Sequence, residues 1–470
     1  MTGVRSTPGD DSKMGWKRSR PTKWWMSLWK AMKYVFYIQI IGGLAVGSIA
    51  FCIMFLDFNS SDLCYDSQQQ NWTSLPGQIQ AFIVTGLVME SYVVQMWQFC
   101  LVISMFGWPL VKKLNLLTLN LLGAFFDTCY RLCLQVYGIY DQNWISIPLH
   151  VLFLTIVLMN AILVGRNIGN NSETERYRKR KKTVKVSAIL AAQFLFGIPI
   201  TWGIGYGLIP LYGRQNETYR AVIATTFPLV IVIPRIIVRL AAQRIDFLHP
   251  GESHMLSSAL YISAMIVFRV MQAELTSLKL FILLSFVHGF VDLIERLTIV
   301  VRDYLWYFIY KKLLKRDTDA EAILSADKFR TPRSMRFIAD MSIQMILGES
   351  TALIAAVGFT QMYDFMYNNN NSPSFTDMQL VANFFTRVSI ALSIDLMFNS
   401  FSFWLQMSYL NVAVVQVWKK KWRKHMVVGL ILTTVTMCYF TTHLFAIVKY
   451  QHSSGAAVRH FNCTGPFSRF

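Results

Sequence analysis

The stretch SFVHGFVDLIERL, residues 285–297, sets Ser285, His288, Asp292 and Glu295 at successive intervals of three, four and three, with Arg296 four residues after Asp292. Such intervals fall on one stripe of a helix. A histidine, two carboxyls and a hydroxyl on that stripe could bind a cation or pass protons, while Asp292 and Arg296 could pair. The surrounding run, from about residue 278 to 300, is apolar enough to cross a bilayer. A charge at the centre of such a helix costs on the order of 2.5 to 3.5 kcal/mol on insertion scales, so ionisable groups there call for partners or an aqueous path.

A second run repeats the device. In GAFFDTCYRLCL, Asp127 lies four residues before Arg131, and Asn120 sits two turns earlier on the same side. Both runs read D-x-x-x-R-L with a glycine three or four residues ahead of the aspartate. Other apolar runs carry Glu90, Glu349, Asp395, Arg235, Arg269 and Arg387, with Glu274 and Lys279 nearer an edge. The runs together hold seven acids and six bases. That near-balance predicts ion pairs fastening helices, and the same groups are candidates for a substrate or ion pathway: Ser285, His288, Asp292, Glu295, Arg296, Asp127, Arg131, Glu90, Arg235, Glu349 and Asp395. His288 and Glu295 have no cation assigned to them by spacing, which favours the pathway.

The elements that position these groups are apolar helices. Of the 470 residues 54% are hydrophobic and 15% charged, with a mean hydropathy of +0.39, which excludes an ordinary soluble protein. Eleven runs long enough to span a bilayer centre near residues 45, 93, 126, 154, 199, 231, 264, 289, 354, 396 and 437. The sequence therefore predicts an all-α polytopic membrane protein divided into a basic, Trp-rich interfacial arm (1–33), helices one to eight (34–310), a cytoplasmic connection (311–342), helices nine to eleven (343–449) and an outer tail (450–470). The two D-x-x-x-R-L runs are the third and eighth, and a shift of five is what a five-plus-five inverted repeat would give.

A net charge of +19 is of the size nucleic-acid binders carry, but the cations are placed otherwise. With the N-terminus inside, loops expected on the cytoplasmic side hold 34 of the 45 Lys and Arg residues, which is the positive-inside pattern. Six N-x-S/T sequons test the scheme, and five of them, at Asn59, Asn71, Asn216, Asn370 and Asn462, fall in loops already placed outside. Asn71, Asn216, Asn370 and Asn462 are the expected glycan sites; Asn59 lies close to the membrane, and Asn170 sits beside RYRKRKK on the inside. This pattern implies a eukaryotic secretory-pathway membrane, with the plasma membrane as destination and the C-terminus outside. The first thirty residues are basic rather than apolar, so no cleaved signal peptide is expected.

Five cysteines lie in spans and read as small buried thiols. Cys64 and Cys463 face the oxidising side, where a disulfide between them would tie the first outer loop to the tail. Trp24, Trp25 and Trp29 among lysines read as an anchor beside anionic lipid of the cytoplasmic leaflet. Gly43 and Gly47 form a G-x-x-x-G expected to pack closely. Prolines and glycines in the fifth and sixth runs predict broken helices, and Pro234 stands directly before Arg235. Asp317 or Thr318 would cap a short helix in the connection, where Thr331 is a candidate regulatory position.

Three function classes fit. The first is a transporter or ion pathway, and the second an accessory or scaffold subunit with membrane-protein partners or a homo-oligomer; eleven spans do not suit the seven-helix receptors. The third rests on SFVHG, which resembles the histidine motif of membrane-bound O-acyltransferases, a family of similar length and helix number. That resemblance implies His288 as the base acting on the acyl acceptor, although the tryptophan usually ahead of the histidine is missing. No phosphate loop, Cys/His metal spacing or nucleophile elbow is present, so neither cofactor nor metal is expected.

Overall fold

The computed structural model describes residues 23–60, 72–75, 77–137, 147–170, 176–243, 245, 248–299, 301–302, 305, 308–309, 331–367 and 377–453. Among them every regular element is a helix: α1 Trp24–Phe36, α2 Gly43–Ser60, α3 Gly77–Gln95, α4 Trp97–Phe106, α5 Trp108–Lys113, α6 Leu116–Tyr137, α7 Ile147–Asn170, α8 Arg176–Trp202, α9 Ile209–Gly213, α10 Glu217–Val230, α11 Val232–Gln243, α12 Pro250–Ser253, α13 Met255–Glu274, α14 Leu278–Leu297, α15 Pro332–Tyr367, α16 Asp377–Ser408 and α17 Val414–Ser453. Single π-helical turns, Tyr37–Gly42 and Gly203–Leu208, join α1 to α2 and α8 to α9.

Eight helical segments are long and apolar enough to cross a bilayer. They match eight of the eleven expected runs. The third, eighth and eleventh runs are helical too, as α6, α14 and α17, and α14 is the most highly charged of them, with Lys279, Asp292, Glu295 and Arg296.

Two helices form the centre. The segment Pro250–Glu274, containing α13, is buried over almost its whole length, and α15 is buried from Met335 to Gln361. Both carry ionisable side chains inward, because lipid makes the apolar residues the cheaper outer surface and leaves polar groups to pair within the bundle. α2, α14, α16 and α17 pack around this pair, while α3, α6, α7 and α8 form a flank. Close seams use glycine. A Cβ on Gly43 would lie 2.5 Å from Ser350 Oγ, and one on Gly47 3.0 Å from Ile354, so the expected G-x-x-x-G is the α2–α15 contact. A second G-x-x-x-G, Gly165 and Gly169 of α7, packs on α8, where a Cβ at either position would collide with the hydroxyls of Ser187 and Thr183.

Helix ends follow ordinary capping. Asn216 caps α10 by accepting the Tyr219 N–H at 3.1 Å, and Ser277 caps α14 by accepting that of Leu280 at 3.4 Å. Arg387 of α16 donates to the Ala273 and Leu275 carbonyls at 2.8 Å each and so satisfies the end of α13. Thr331 caps α15, accepting the Ser334 N–H at 3.2 Å. Thus α15 starts within the stretch 311–342 that the sequence assigned to a connection, and RYRKRKK, which starts at Arg176, opens α8. The Asp317 or Thr318 cap, the Cys64–Cys463 pair and Asn71, Asn370 and Asn462 lie outside the described residues. Asn216 is exposed, as is Asn170.

A buried carboxylate site around Arg296

The α14 stripe turns toward α13, α15 and α16. Ser285, His288, Asp292 and Arg296 are buried, and Arg296 is 2% exposed. Its guanidinium donates to Glu349 of α15 and Asn399 of α16, and lies 3.9 Å from Asp292. Glu349 is therefore the main partner of Arg296, and the local i,i+4 pair is the looser contact.

Tyr261 of α13 stands between the acids. Its hydroxyl contacts Asp292 Oδ2 at 3.2 Å and Glu349 Oε1 more closely. A phenol has one proton to donate and oxygen lone pairs to accept with. Facing two carboxyls, it donates to one, and the other contact becomes a hydrogen bond when that carboxyl carries a proton. The charge count agrees: two acids share one guanidinium, and a proton or another cation supplies the balance. His288 Nε2 lies 3.4 Å from Asp292 Oδ2, and its ring packs on Phe268 with centroids 4.5 Å apart. Asn399 Nδ2 also reaches Glu349 and Gln39, each at 3.4 Å.

Neighbouring pairs flank the site. Arg269, fully buried, donates to Asp395 at 2.6 Å and to Gln272 at 2.9 Å, and Gln272 donates to Ser285 Oγ at 2.6 Å. Glu295 stands apart from His288. It accepts from Arg235 at 2.9 Å and from Arg302 at 3.1 Å, so it has two cations where spacing had assigned none. The sixth run does break, between α10 and α11, and Arg235 just beyond the break lies over the Tyr261 ring at 4.4 Å. Arg235, Arg239, Glu295, Arg296 and Ser342 surround a space of about 10 Å³, which suits a single water.

The other D-x-x-x-R-L run forms a separate site on the flank. Arg131 donates to Asp127 at 2.6 Å and to Glu90 of α3 at 2.8 Å, and Asp127 also accepts from Ser91 at 3.1 Å and Gln95 at 2.7 Å. Asn120 takes no part in it and exchanges amide hydrogen bonds with Asn160 of α7 at 3.0 and 3.1 Å.

Two further clusters escaped the sequence reading. Glu274, placed near an edge, is buried and accepts from Arg220 at 2.9 Å and from the Tyr212 hydroxyl, whereas Lys279 is exposed. On α15, Arg336 and Asp340 pair at 2.6 Å, and Asp340 also meets His425 at 3.1 Å. Their i,i+4 spacing inside RFIADMSIQMI was the available signal. Among the described residues no cluster of His, Cys, Asp and Glu has metal-binding geometry. Comparison with models of known families, with curated proteins and with solved structures found no match for this chain.

Proposed function

We propose that the chain is a multi-pass membrane transporter in which the Asp292–Glu349 pair takes up and releases a proton as helices α13 to α16 rearrange. The observation that carries this reading is the single Tyr261 hydroxyl facing two buried carboxyls that share Arg296. Such a constellation holds one exchangeable proton at the centre of the bundle, and its net charge changes with occupancy. His288 beside Asp292 gives the proton a neighbouring acceptor. The frame is eleven spans, with α6, α14 and α17 joining the eight apolar segments, the N-terminus cytoplasmic and the C-terminus outside. Charge bias and sequon placement support it, and the secretory route they imply leads to the plasma membrane. Basic Lys and Arg groups and the exposed Trp24, Trp25 and Trp29 would meet anionic lipid.

Reconstitution tests the transport reading. Proteoliposomes enclosing a pH-sensitive dye, given a potassium diffusion potential, should acidify with the wild-type chain and lose that flux with Glu349→Gln or Asp292→Asn. Wild-type vesicles as tight to protons as empty ones would overturn it.

A second reading, an accessory or scaffold subunit with membrane partners or a second copy of itself, draws on a specific observation. Arg296 and Arg269 each donate to a buried carboxylate, and the space beside Glu295 holds about one water. On that reading the same variants lower stability and vesicles never conduct. The acyltransferase reading has less support, since the His288 ring is held between Phe268 and Asp292.

A further inference from the structure

A cavity away from the charged centre lies between α4, α7, α8, α13 and α17. Rings of Trp97, Phe153, Phe194 and Tyr439 line it, in mutual contact with centroids 5.0 to 6.4 Å apart. It encloses about 550 Å³ of empty space, open mouth included. Space for the centres of water-sized spheres is about 40 Å³, several times the ~10–15 Å³ that one water requires. That shape admits a slender chain or a ring edge rather than a bulky polar metabolite.

Its opening lies along α8, a side that a bilayer would cover. Gly197 and Ile200 of α8 line the cavity yet are only half-buried, and α8 belongs to a segment long and apolar enough to span the bilayer. The backbone is arranged for an opening. A Cβ on Gly197 would meet nothing nearer than Leu260 at 3.9 Å, Pro199 lies within the last turn of α8, and the π-helical turn Gly203–Leu208 follows. Single π turns often mark functional sites.

Two polar groups in the wall, an acceptor and a donor, have no partner among the described residues. Gln193 is 3% exposed and its Oε1 accepts no hydrogen bond; Trp97 is 8% exposed and its Nε1–H donates none. The wall also carries the hydroxyls of Ser263 and Tyr439, and that of Ser263 is engaged with the Ala259 carbonyl at 2.9 Å. An unmatched acceptor and donor in a largely apolar cavity each cost free energy unless a guest supplies their complements. A charged headgroup would find no counter-ion in this wall. A hydroxyl carries both complements, one proton to donate and lone pairs to accept.

We infer that this cavity is a binding site for a neutral lipid bearing a hydroxyl, admitted sideways from the bilayer past Gly197, with Gln193 Oε1 and Trp97 Nε1 recognising the polar end. The site does not depend on the transport reading. A sterol and a long-chain alcohol share this chemistry.

The test is photolabelling of the full-length protein in lipid nanodiscs, with two arms, a diazirine-tagged sterol and a diazirine-tagged long-chain alcohol. Each is run beside its methyl ether, which cannot donate. At least one alcohol should label peptides containing residues 193–204 or 259–264, and its ether should label them several-fold less. Whichever arm labels identifies the lipid. Gly197→Leu, which fills the cavity from an unobstructed position, should reduce labelling about tenfold with thermal stability kept. Gln193→Leu should remove the preference for alcohol over ether. Labelling that is absent in both arms, indifferent to the ether, or unchanged in Gly197→Leu would overturn the assignment. Should Gln193→Leu fail to fold, the ether comparison on wild-type protein still decides.

Discussion

The Asp127–Arg131 and Asp292–Arg296 pairs have the same spacing, and each guanidinium is shared with a glutamate from another helix. They are nevertheless different sites. Around Arg131 the tight contact is local, 2.6 Å to Asp127, and Asp127 is further held by Ser91 and Gln95. Around Arg296 the local aspartate is 3.9 Å away, and the guanidinium is given to Glu349 and Asn399. Asp127 has donors of its own, whereas Asp292 must share a phenol proton with a second acid. Equal local spacing thus yields a satisfied ion pair on the flank and an undercompensated acid pair at the centre. The supply of donors from neighbouring helices makes the difference. The proposed five-plus-five repeat would have the two sites as structural counterparts.

Removing the shared cation should separate them most. Arg296→Met leaves Glu349 and Asp292 buried without it, a loss of about 3 to 5 kcal/mol by the standard of broken buried pairs. Arg131→Met should cost less, because Asp127 keeps its Ser91 and Gln95 donors and the Glu90 side chain is 21% exposed. Thermal unfolding of the purified variants in nanodiscs makes the comparison. Equal losses would mean that the two sites are energetically alike.

The glycines ahead of each aspartate should differ next. A Cβ on Gly289 would fall 2.5 Å from the Phe398 ring, a rigid neighbour, while one on Gly123 would fall 3.0 Å from the tip of Ile156. Gly289→Ala should therefore cost about 1 to 3 kcal/mol as overpacking, and Gly123→Ala distinctly less. A larger melting shift from Gly123→Ala would put the tighter helix contact on the flank.

How far these sites were legible in the sequence follows from what helical spacing encodes. Eight apolar segments and the faces carrying Asp127, Arg131, Asp292 and Arg296 could be read, since hydropathy and a period of 3.6 fix both. Neighbours could not. From His288 to Glu295 the stripe climbs about 10 Å at 1.5 Å per residue. Over that distance its surroundings change from Phe268 and Tyr261 to Arg235 and Arg302, which is why one stripe serves two sites. Tyr261, Asn399 and Gln39 are uncharged and carried no signal in an apolar run; Arg336 and Asp340 did, but they were read as part of a connection.

Tyr261 sharpens the comparison through a smaller effect. Tyr261→Phe removes the proton that one of the two acids accepts, so stability should fall by about 1 to 3 kcal/mol, the cost of a buried acceptor left unmet. On the flank, Ser91→Ala removes one of several donors to Asp127 and should cost roughly 0.5 to 1.5 kcal/mol. The proton-flux assay adds a second readout: Tyr261→Phe should change its pH profile, and Ser91→Ala should leave it in place. A shift from Ser91→Ala would move the proton site to the flank.

The smallest effect belongs to Glu90. Its carboxylate is the outer partner of Arg131, partly open to its surroundings, and Arg131 keeps Asp127 at 2.6 Å when that charge is removed. Glu90→Gln also retains an oxygen able to accept from the guanidinium. The change should stay within about 1 kcal/mol, because the hydrogen bond from Arg131 is kept. Its counterpart Glu349→Gln has no such latitude: Glu349 is 3% exposed, and it accepts from Arg296, Tyr261 and Asn399 together. Parallel melting curves for the two variants, with proton flux measured on the same preparations, test whether the central acid alone is indispensable. A Glu90→Gln protein that melts normally yet conducts no protons would place the flank site in the pathway and end the distinction between them.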